Sequence, residues 1–352
     1  MEHTSTEKRD FGVGSVSAAI LRLAIPMTFA QLINVLYSVV DRIYIGHLPH
    51  TSTEALTGIG LTLPVITIVT AFANLFGMGG APLFSMERGR ENTDKAQTIM
   101  GNSFALILIF GLLLSLLCYL FKEPLLYLFG ASDTTYPYAD AYLSIYLLGT
   151  IFVMISLGMN NFINAQGFGV MGMLTVSIGA VLNLILDPVF IFIFGLGIRG
   201  AAVATVISQM ISALWVLKFL TGKKALITLS RRSMRIKRRL VRDITTLGLS
   251  GFIMSVTNGA VQIICNATLQ NYGGDLYIGI MTVINSVREI VNIPVNGFTN
   301  SAQPVMSFNY GAQKYGRVKS AIRFMTIFCI VFTLIVWALI FFFPHFFDPG
   351  FQ

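Results

Sequence analysis

With 352 residues, 55% of them hydrophobic and only 11% charged, the chain is too apolar for a soluble globular protein, where roughly a quarter of residues carry charge. Apolar stretches of about 20 residues, long enough to cross a bilayer as helices, recur along its length, and the short alternating segments of a membrane β-barrel do not. The net charge of +8 is unevenly placed, and its placement reads as topology rather than as a nucleic-acid surface. The expected fold class is an all-α polytopic membrane protein.

In chain order, the polar start MEHTSTEKRDFGVGS is followed by no small-residue cleavage site, so the first helix reads as an uncleaved anchor. Spans are expected at about 18–46, 57–84, 97–121, 138–163, 170–195, 199–220, 244–270, 276–306 and 318–344. With the N-terminus cytoplasmic, 20 of the 24 basic residues fall inside, among them Lys8, Arg9, Arg22, Arg88, Arg90, Lys95, the cluster from Lys218 to Arg242, and Lys314, Arg317, Lys319 and Arg323. Arg42, Lys122, Arg199 and Arg288 fall elsewhere. That bias is the positive-inside rule. The segment GKKALITLSRRSMRIKRRLVRD reads as a basic amphipathic linker on anionic headgroups; it lacks the interleaved aromatics of a nucleic-acid binder. Three regions follow: a first lobe of six helices (1–220), the linker (221–243), and a second lobe (244–352).

The spans carry polar stripes. Gln31, Asn34, Ser38 and Asp41 share one face of the first. Tyr142, Ser156, Asn160 and Asn161 mark the fourth; Ser177, Asn183 and Asp187 the fifth; Thr205, Ser208, Gln209 and Ser212 the sixth. Ser255, Asn258, Gln262 and Asn266 line the seventh, and Ser286, Asn292, Asn296 and Asn300 the eighth. Hydroxyl and amide side chains routinely join helices, at about 0.6–2 kcal/mol each. Carboxylates are different. An Asp at a helix centre costs about 2.5–3.5 kcal/mol, and such acids usually face a wet cavity. Asp41 and Asp187 both fall in the outer half of their spans, where they can open into one outward-facing cavity. Two carboxylates brought together in low dielectric do not both hold charge easily, so such a pair invites a proton. Pro188 frees the carbonyl of Leu184 and favours a kink, and Pro26 can act similarly in the first span. Arg288 and Glu289 are adjacent and point in different directions.

Other chemistry finds little support. Cys118, Cys265 and Cys329 sit in apolar runs as unpaired small hydrophobes. His3, His47, His50 and His345 have no ligand spacing, GIG (58–60) and GLG (195–197) lack a strand–turn–helix context, and no nucleotide-hydrolysis motif occurs. An intramembrane aspartyl protease would also use two acids, but the loop sequence around one of them is missing. No cofactor and no enzymatic activity is expected. The halves resemble each other: GMGGAPLFSMERGREN (77–92) aligns with TNSAQPVMSFNYGAQK (299–314), matching Ser85 to Ser307 and Gly89 to Gly311. EALTGIGLTLP aligns loosely with GDLYIGIMTVI at about the same offset. Repeated halves are common in secondary transporters. Six helices before the linker and three after it, ending in HFFDPGFQ, suggest a C-terminally truncated sequence.

The segments LAIPMTFAQLINVLYSVVDRIYIGHL, NLILDPVFIF with GLGIRGAAVATVISQ, and NSAQPVMSFNYGAQ occur in that order. With them the chain resembles the multidrug and toxic compound extrusion (MATE) family over about residues 10–340. The resemblance implies two pseudo-symmetric lobes, alternating access, and export of organic cations or amphipathic drugs driven by H⁺, or alternatively Na⁺. It implies a coupling site at Asp41, Asn183, Asp187 and Thr205, which also hold oxygens for a Na⁺ ion. Tyr142 and Asn160 match polar cavity positions of the family's helix four, and with Asn34, Tyr37, Ser156 and Gln209 they form the expected substrate cavity. Gln262, Cys265 and Asn266 stand where another branch has an acid in helix seven, so the branch of DNA-damage-inducible F-like proteins is favoured. A bacterial or archaeal plasma membrane and, at full length, a monomer are expected. The competing expectations are a lipid-linked oligosaccharide flippase, which needs basic residues in its cavity, and a membrane fragment that transports nothing.

Overall fold

The computed structural model describes residues 10–47 and 52–342, and mainly the backbone between 259 and 290. Lys8, Arg9, His3, His50, His345 and the terminal HFFDPGFQ lie outside the described residues, as do the side chains of Arg42, Gln262, Asn266, Ser286 and Glu289. Every regular element among the described residues is helical. α1 is Val16–Gly46, α2 Ser52–Gly89, α3 Thr93–Leu120, the short α4 Lys122–Leu128, α5 Tyr136–Ala165, α6 Gly169–Pro188 and α7 Ile198–Thr221. α8 is Arg238–Gly311 and α9 Tyr315–Phe342. Seven of these, α1, α2, α3, α5, α6 with its continuation to Ile193, α7 and α9, are long and apolar enough to cross a bilayer. Six of the seven precede the linker, as expected.

The seventh and eighth spans depart from expectation in being joined. α8 runs unbroken for 74 residues, and Pro294 and Pro304 are its only prolines. Its ends nevertheless meet α2 close together. A Cβ on Gly248 would strike the Leu75 carbonyl, and one on Gly311 the Met86 carbonyl. At about 1.5 Å per residue, a straight helix would hold Gly248 and Gly311 about 95 Å apart, whereas Leu75 and Met86 are about 16 Å apart along α2. α8 therefore doubles back, and its arms are the two expected spans. The pair Gly273–Gly274 falls near its middle and is the weakest helix-forming step there.

The internal repeat is visible in the backbone. α2 and α8 end in the same cap, 222 residues apart. Glu91 has φ 60° and Gln313 φ 58°, the two non-glycine residues with positive φ among those described. The amides of Arg90 and Ala312 donate to Met86 and Phe308 at 3.0 and 2.9 Å, and those of Asn92 and Lys314 to Glu87 and Asn309, both at 2.9 Å. The helix caps thus share one hydrogen-bond pattern. The caps also touch reciprocally: Gly89 abuts the Phe308 carbonyl while Gly311 abuts the Met86 carbonyl. A pair of equivalent surfaces exchanging equivalent contacts is the mark of two-fold packing.

The linker is pinned to the first half. Ala225, Ile227 and Leu229 are buried at alternate positions, as in an extended segment. The amide of Ile227 donates to Gln166 Oε1 at 2.9 Å, and Gln97 Nε2 donates to the Thr228 carbonyl at 2.6 Å. The fully buried Asn102 amide donates to the carbonyls of Ser233 and Arg235 and accepts from the Lys237 amide. Lys223, Lys224, Arg231, Arg232, Arg235 and Lys237 stay exposed, which keeps the expected two-faced character. Helix α8 already begins at Arg238, inside the range read as linker.

Candidate functional site

α1, α2, α5, α6 and α7 enclose a cavity of about 310 Å³. Each helix brings one face. α1 contributes Asn34, Tyr37, Ser38 and Asp41, at the three- and four-residue steps that keep side chains in line. α5 contributes Tyr142, Tyr146, Ser156 and Asn160, and α7 contributes Thr205, Gln209 and Ser212. α6 supplies Thr175, Gly179 and Ala180, small residues that let the helices come close. Gly179 faces Ser212. All six residues expected in the substrate cavity line it, with Asp41 and Thr205 from the expected coupling set.

Asn183 and Asp187 sit just behind this wall, one helical turn apart, at 4% and 1% exposure. The Asn183 amide donates to Asp187 Oδ1 at 3.1 Å and to Thr205 Oγ1 at 3.4 Å. Tyr142 lies beside Thr205, and the carboxyl of Asp41 lies near that of Asp187. The four residues expected to act together are thus brought together, from three helices. Deeper in the cavity, Ser156 Oγ donates to Gln209 Oε1 at 2.7 Å, Asn160 Nδ2 to the Gly172 carbonyl at 3.2 Å, and Ser212 Oγ to the Thr175 carbonyl at 3.1 Å.

Pro188 ends α6 directly after Asp187, and the chain continues as a wide π turn, Val189–Ile193. The Phe194 amide donates to the Val189 carbonyl at 2.9 Å, a five-residue step. Such turns inside helices are frequent at functional sites. The kink expected from the proline takes this form.

Some stripe members do not line the cavity. Gln31, Asn161, Ser177 and Ser208 are absent from its wall. Asn161 bonds back to its own helix at Leu157 and Gly158, and Ser208 is buried. Sequence reasoning missed Thr70, Tyr146 and Thr175. Tyr146 was detectable as the i+4 partner of Tyr142, with which it stacks at 6.2 Å. Thr70 and Thr175 are lone hydroxyls whose bonds go to their own helices, and they leave no pattern. Among the described residues no group of three or more His, Cys, Asp or Glu side chains is placed to hold a metal ion.

The model of the MatE family matches residues 26–189 and 251–348, one stretch in each half. Among curated relatives, the multidrug export protein MepA of Staphylococcus saprophyticus is 26% identical over 331 residues, covering 94% of this chain and 72% of that one. MepA of Staphylococcus haemolyticus is 26% identical over 333 residues, covering 93% and 73%. Among solved structures, a MATE transporter in a bent conformation superimposes with a TM-score of 0.90 at 24% identity, over 96% of this chain and 75% of that one. An outward-facing multidrug resistance MATE transporter of the MOP superfamily gives 0.87 at 24%, over 94% and 73%. These likenesses show a shared fold. With the family match covering most of the chain, the protein is a transporter rather than an enzyme, and it belongs to the MatE family of multi-pass membrane proteins.

Proposed function

We propose that the protein exports organic cations or amphipathic drugs from a bacterial or archaeal cell across the plasma membrane, in exchange for H⁺. The Asp41–Asp187 pair is the point where the two fluxes meet. The observation that carries this reading is the placement of one acid, Asp41, in the cavity wall with a second, Asp187, buried close behind it. Among the described residues lining the cavity, Asp41 is the only charged one. Ionised, the pair makes the cavity attractive to a cation, and Tyr37, Tyr142 and Tyr146 offer rings to an aromatic or quaternary substrate. A proton arriving from outside neutralises the pair, and the attraction is lost. Proton and drug then exclude one another at a single site, which is the differential affinity that coupling requires. Both MepA relatives are multidrug export proteins by name, which is consistent with this substrate class.

H⁺ is favoured over Na⁺ by the way Asn183 is turned. It presents its amide nitrogen, not its oxygen, to both Asp187 and Thr205, whereas a Na⁺ site needs oxygens converging on the ion. A flippase for lipid-linked oligosaccharide pyrophosphate would want basic residues in the cavity, and the described residues of the lining include none.

The test is ethidium efflux from drug-sensitive, efflux-deficient cells. Asp187→Asn keeps the shape and removes the titration, and efflux is expected to fall at least ~10-fold, the size of one lost coupling interaction. A protonophore should abolish wild-type efflux, and replacing Na⁺ by choline should leave it unchanged. An Asp187→Asn protein that still exports at the wild-type rate under a proton gradient would sink the proposal.

A further inference from the structure

A second concavity, of about 430 Å³, lies at the opposite end of α6 and α7 from Asp187. It is formed where the first turn of α6 meets the last turn of α7 and the start of the linker. Met171 and Phe219 give it an apolar floor, and Phe219 is held edge-on against Phe168 at 4.9 Å. Trp215, Lys218, Lys223 and Lys224 complete the wall. The indole Nε1 of Trp215 is buried and has no hydrogen-bond partner. All three lysines are exposed, and no ion pair to any of them is formed among the described residues. Along the sequence from Ala141 to Arg242 the only acidic residue is Asp187, at the far end of α6.

We propose that this groove binds the headgroup of an anionic phospholipid in the leaflet that the C-terminus of α7 meets. The phosphodiester sits among Lys218, Lys223 and Lys224 and accepts the Trp215 N–H, and the first acyl methylenes lie on Met171 and Phe219. The argument is charge complementarity joined to position. The concavity sits where membrane-crossing helices end, in the layer where lipid phosphates are. Tryptophan is enriched at that depth because its ring is apolar and its N–H is not. Clustered lysines draw acidic lipids there. An unpartnered indole N–H beside three ammonium groups that form no ion pair among the described residues asks for an acceptor that is both anionic and amphiphilic. The consequence for transport is mechanical. A lipid held here ties α6, which carries Asp187, to α7, which carries Thr205, and to the linker that leads into the second half.

The test reads Trp215 directly. The chain has two tryptophans, so in a Trp337→Phe background the remaining fluorescence is that of Trp215. The protein is placed in phosphatidylcholine nanodiscs containing phosphatidylglycerol or phosphatidylcholine brominated near the carbonyl, at equal mole fraction. Brominated phosphatidylglycerol is expected to quench about 3-fold more strongly or better, given the attraction of each lysine for an acidic surface. The preference should disappear in Lys218→Gln/Lys223→Gln/Lys224→Gln and persist in the corresponding triple Arg variant, which keeps the charge. Equal quenching by both lipids overturns the proposal. So does a preference that survives the Gln substitutions. Relief of quenching by inorganic phosphate as effective as that by unlabelled phosphatidylglycerol would reassign the groove to a soluble anion and overturn it equally.

Discussion

The end of α2 and the end of α8 are two copies of one design that differ in chemistry. Backbone and packing are shared: the cap, the positive φ at Glu91 and Gln313, the prolines Pro82 and Pro304, and the two glycines in reciprocal contact. Side-chain bonding is shared in position only. In the first copy Glu87, almost wholly buried, accepts from Lys95 at 2.9 Å and from Arg90 at 2.7 Å. In the second, Asn309 accepts from Arg317 at 2.9 Å and gives its amide to the Phe11 carbonyl at 3.0 Å. The same divergence appears on a larger scale. The first half holds Asp41 in the cavity wall, while the stretch of the second half that matches the first span, from Ile244 to Gly274, contains no acid. Sterics constrain both copies because each glycine must pass the other copy's carbonyl. Charge constrains only the copy that uses it. The repeat therefore conserves what closes the two halves together, while the polar side chains at the two caps differ.

The largest break in this comparison should come from the shared glycines. Gly89→Val and Gly311→Val each drive a side chain into a backbone carbonyl of the other half, and neither helix end can yield without losing its cap. Each should cost about 3 kcal/mol, the upper range for overpacking, seen as a lowered thermal midpoint in detergent. The two costs should agree closely, because the contacts are equivalent. Gly60→Val, where nothing lies within 4 Å, should change stability little and serves as the control. A Gly311→Val protein as stable as wild type, beside a crippled Gly89→Val, would dissolve the reciprocity.

A second break tests the grip of the second copy on the N-terminal segment. Besides Asn309, Arg317 donates to the carbonyls of Phe11 and Gly14 at 2.9 and 2.8 Å, and Lys314 to that of Gly12 at 3.1 Å. Phe11 in turn shares the Arg88 guanidinium with Phe308, at 5.2 and 5.1 Å from the ring centres. Asn309→Ala leaves the Phe11 carbonyl with its Arg317 bond alone and takes from Arg317 the oxygen its Nε meets, at about 1–3 kcal/mol. Proteolysis of the N-terminal segment should accelerate in step. Unchanged protease sensitivity would mean that the segment is held by its apolar contacts alone.

Much of this was legible in the sequence, and the reason is that lipid imposes simple rules. Span positions follow from length and apolarity, and six of the spans before the linker are where expected. The Asp41–Asp187 pair was legible because a carboxylate in an apolar helix needs a partner, and two helices each offered one. The rest was hidden for identifiable reasons. The joining of the seventh and eighth spans into one element, α8, is a feature that hydropathy windows do not register. The roles of Gln166 and Asn102 as anchors of the linker depend on where an irregular segment folds back, and their bonds reach across 61 and up to 135 residues. Arg88 read as a cytoplasmic charge but is half-buried, donating to the Ala165 carbonyl at 3.0 Å. The groove around Trp215 joins the two ends of a helical hairpin, and no single stretch displays it.

The smallest effect sharpens the comparison most. If the two caps are interchangeable as backbones, the second copy's pair should work in the first copy's place. Glu87→Asn alone leaves Lys95 and Arg90 without their shared carboxylate, and Lys95→Arg alone only lengthens a half-exposed cation. In the double variant an arginine faces an asparagine oxygen eight residues earlier, the spacing already realised by Arg317 and Asn309. The new amide can turn to the carbonyl of Leu83, as Asn309 turns to that of Val305 at 2.8 Å. Lys95 is 48% exposed, so screening keeps the pair weak, and the coupling energy of the cycle should be about 0.5 kcal/mol and favourable. Denaturation of the wild type, both single variants and the double in one detergent measures it. A coupling of zero or of the opposite sign would mean that the caps share a backbone without sharing the space around it. The transferred pair would then meet first-half neighbours that the second half never presents.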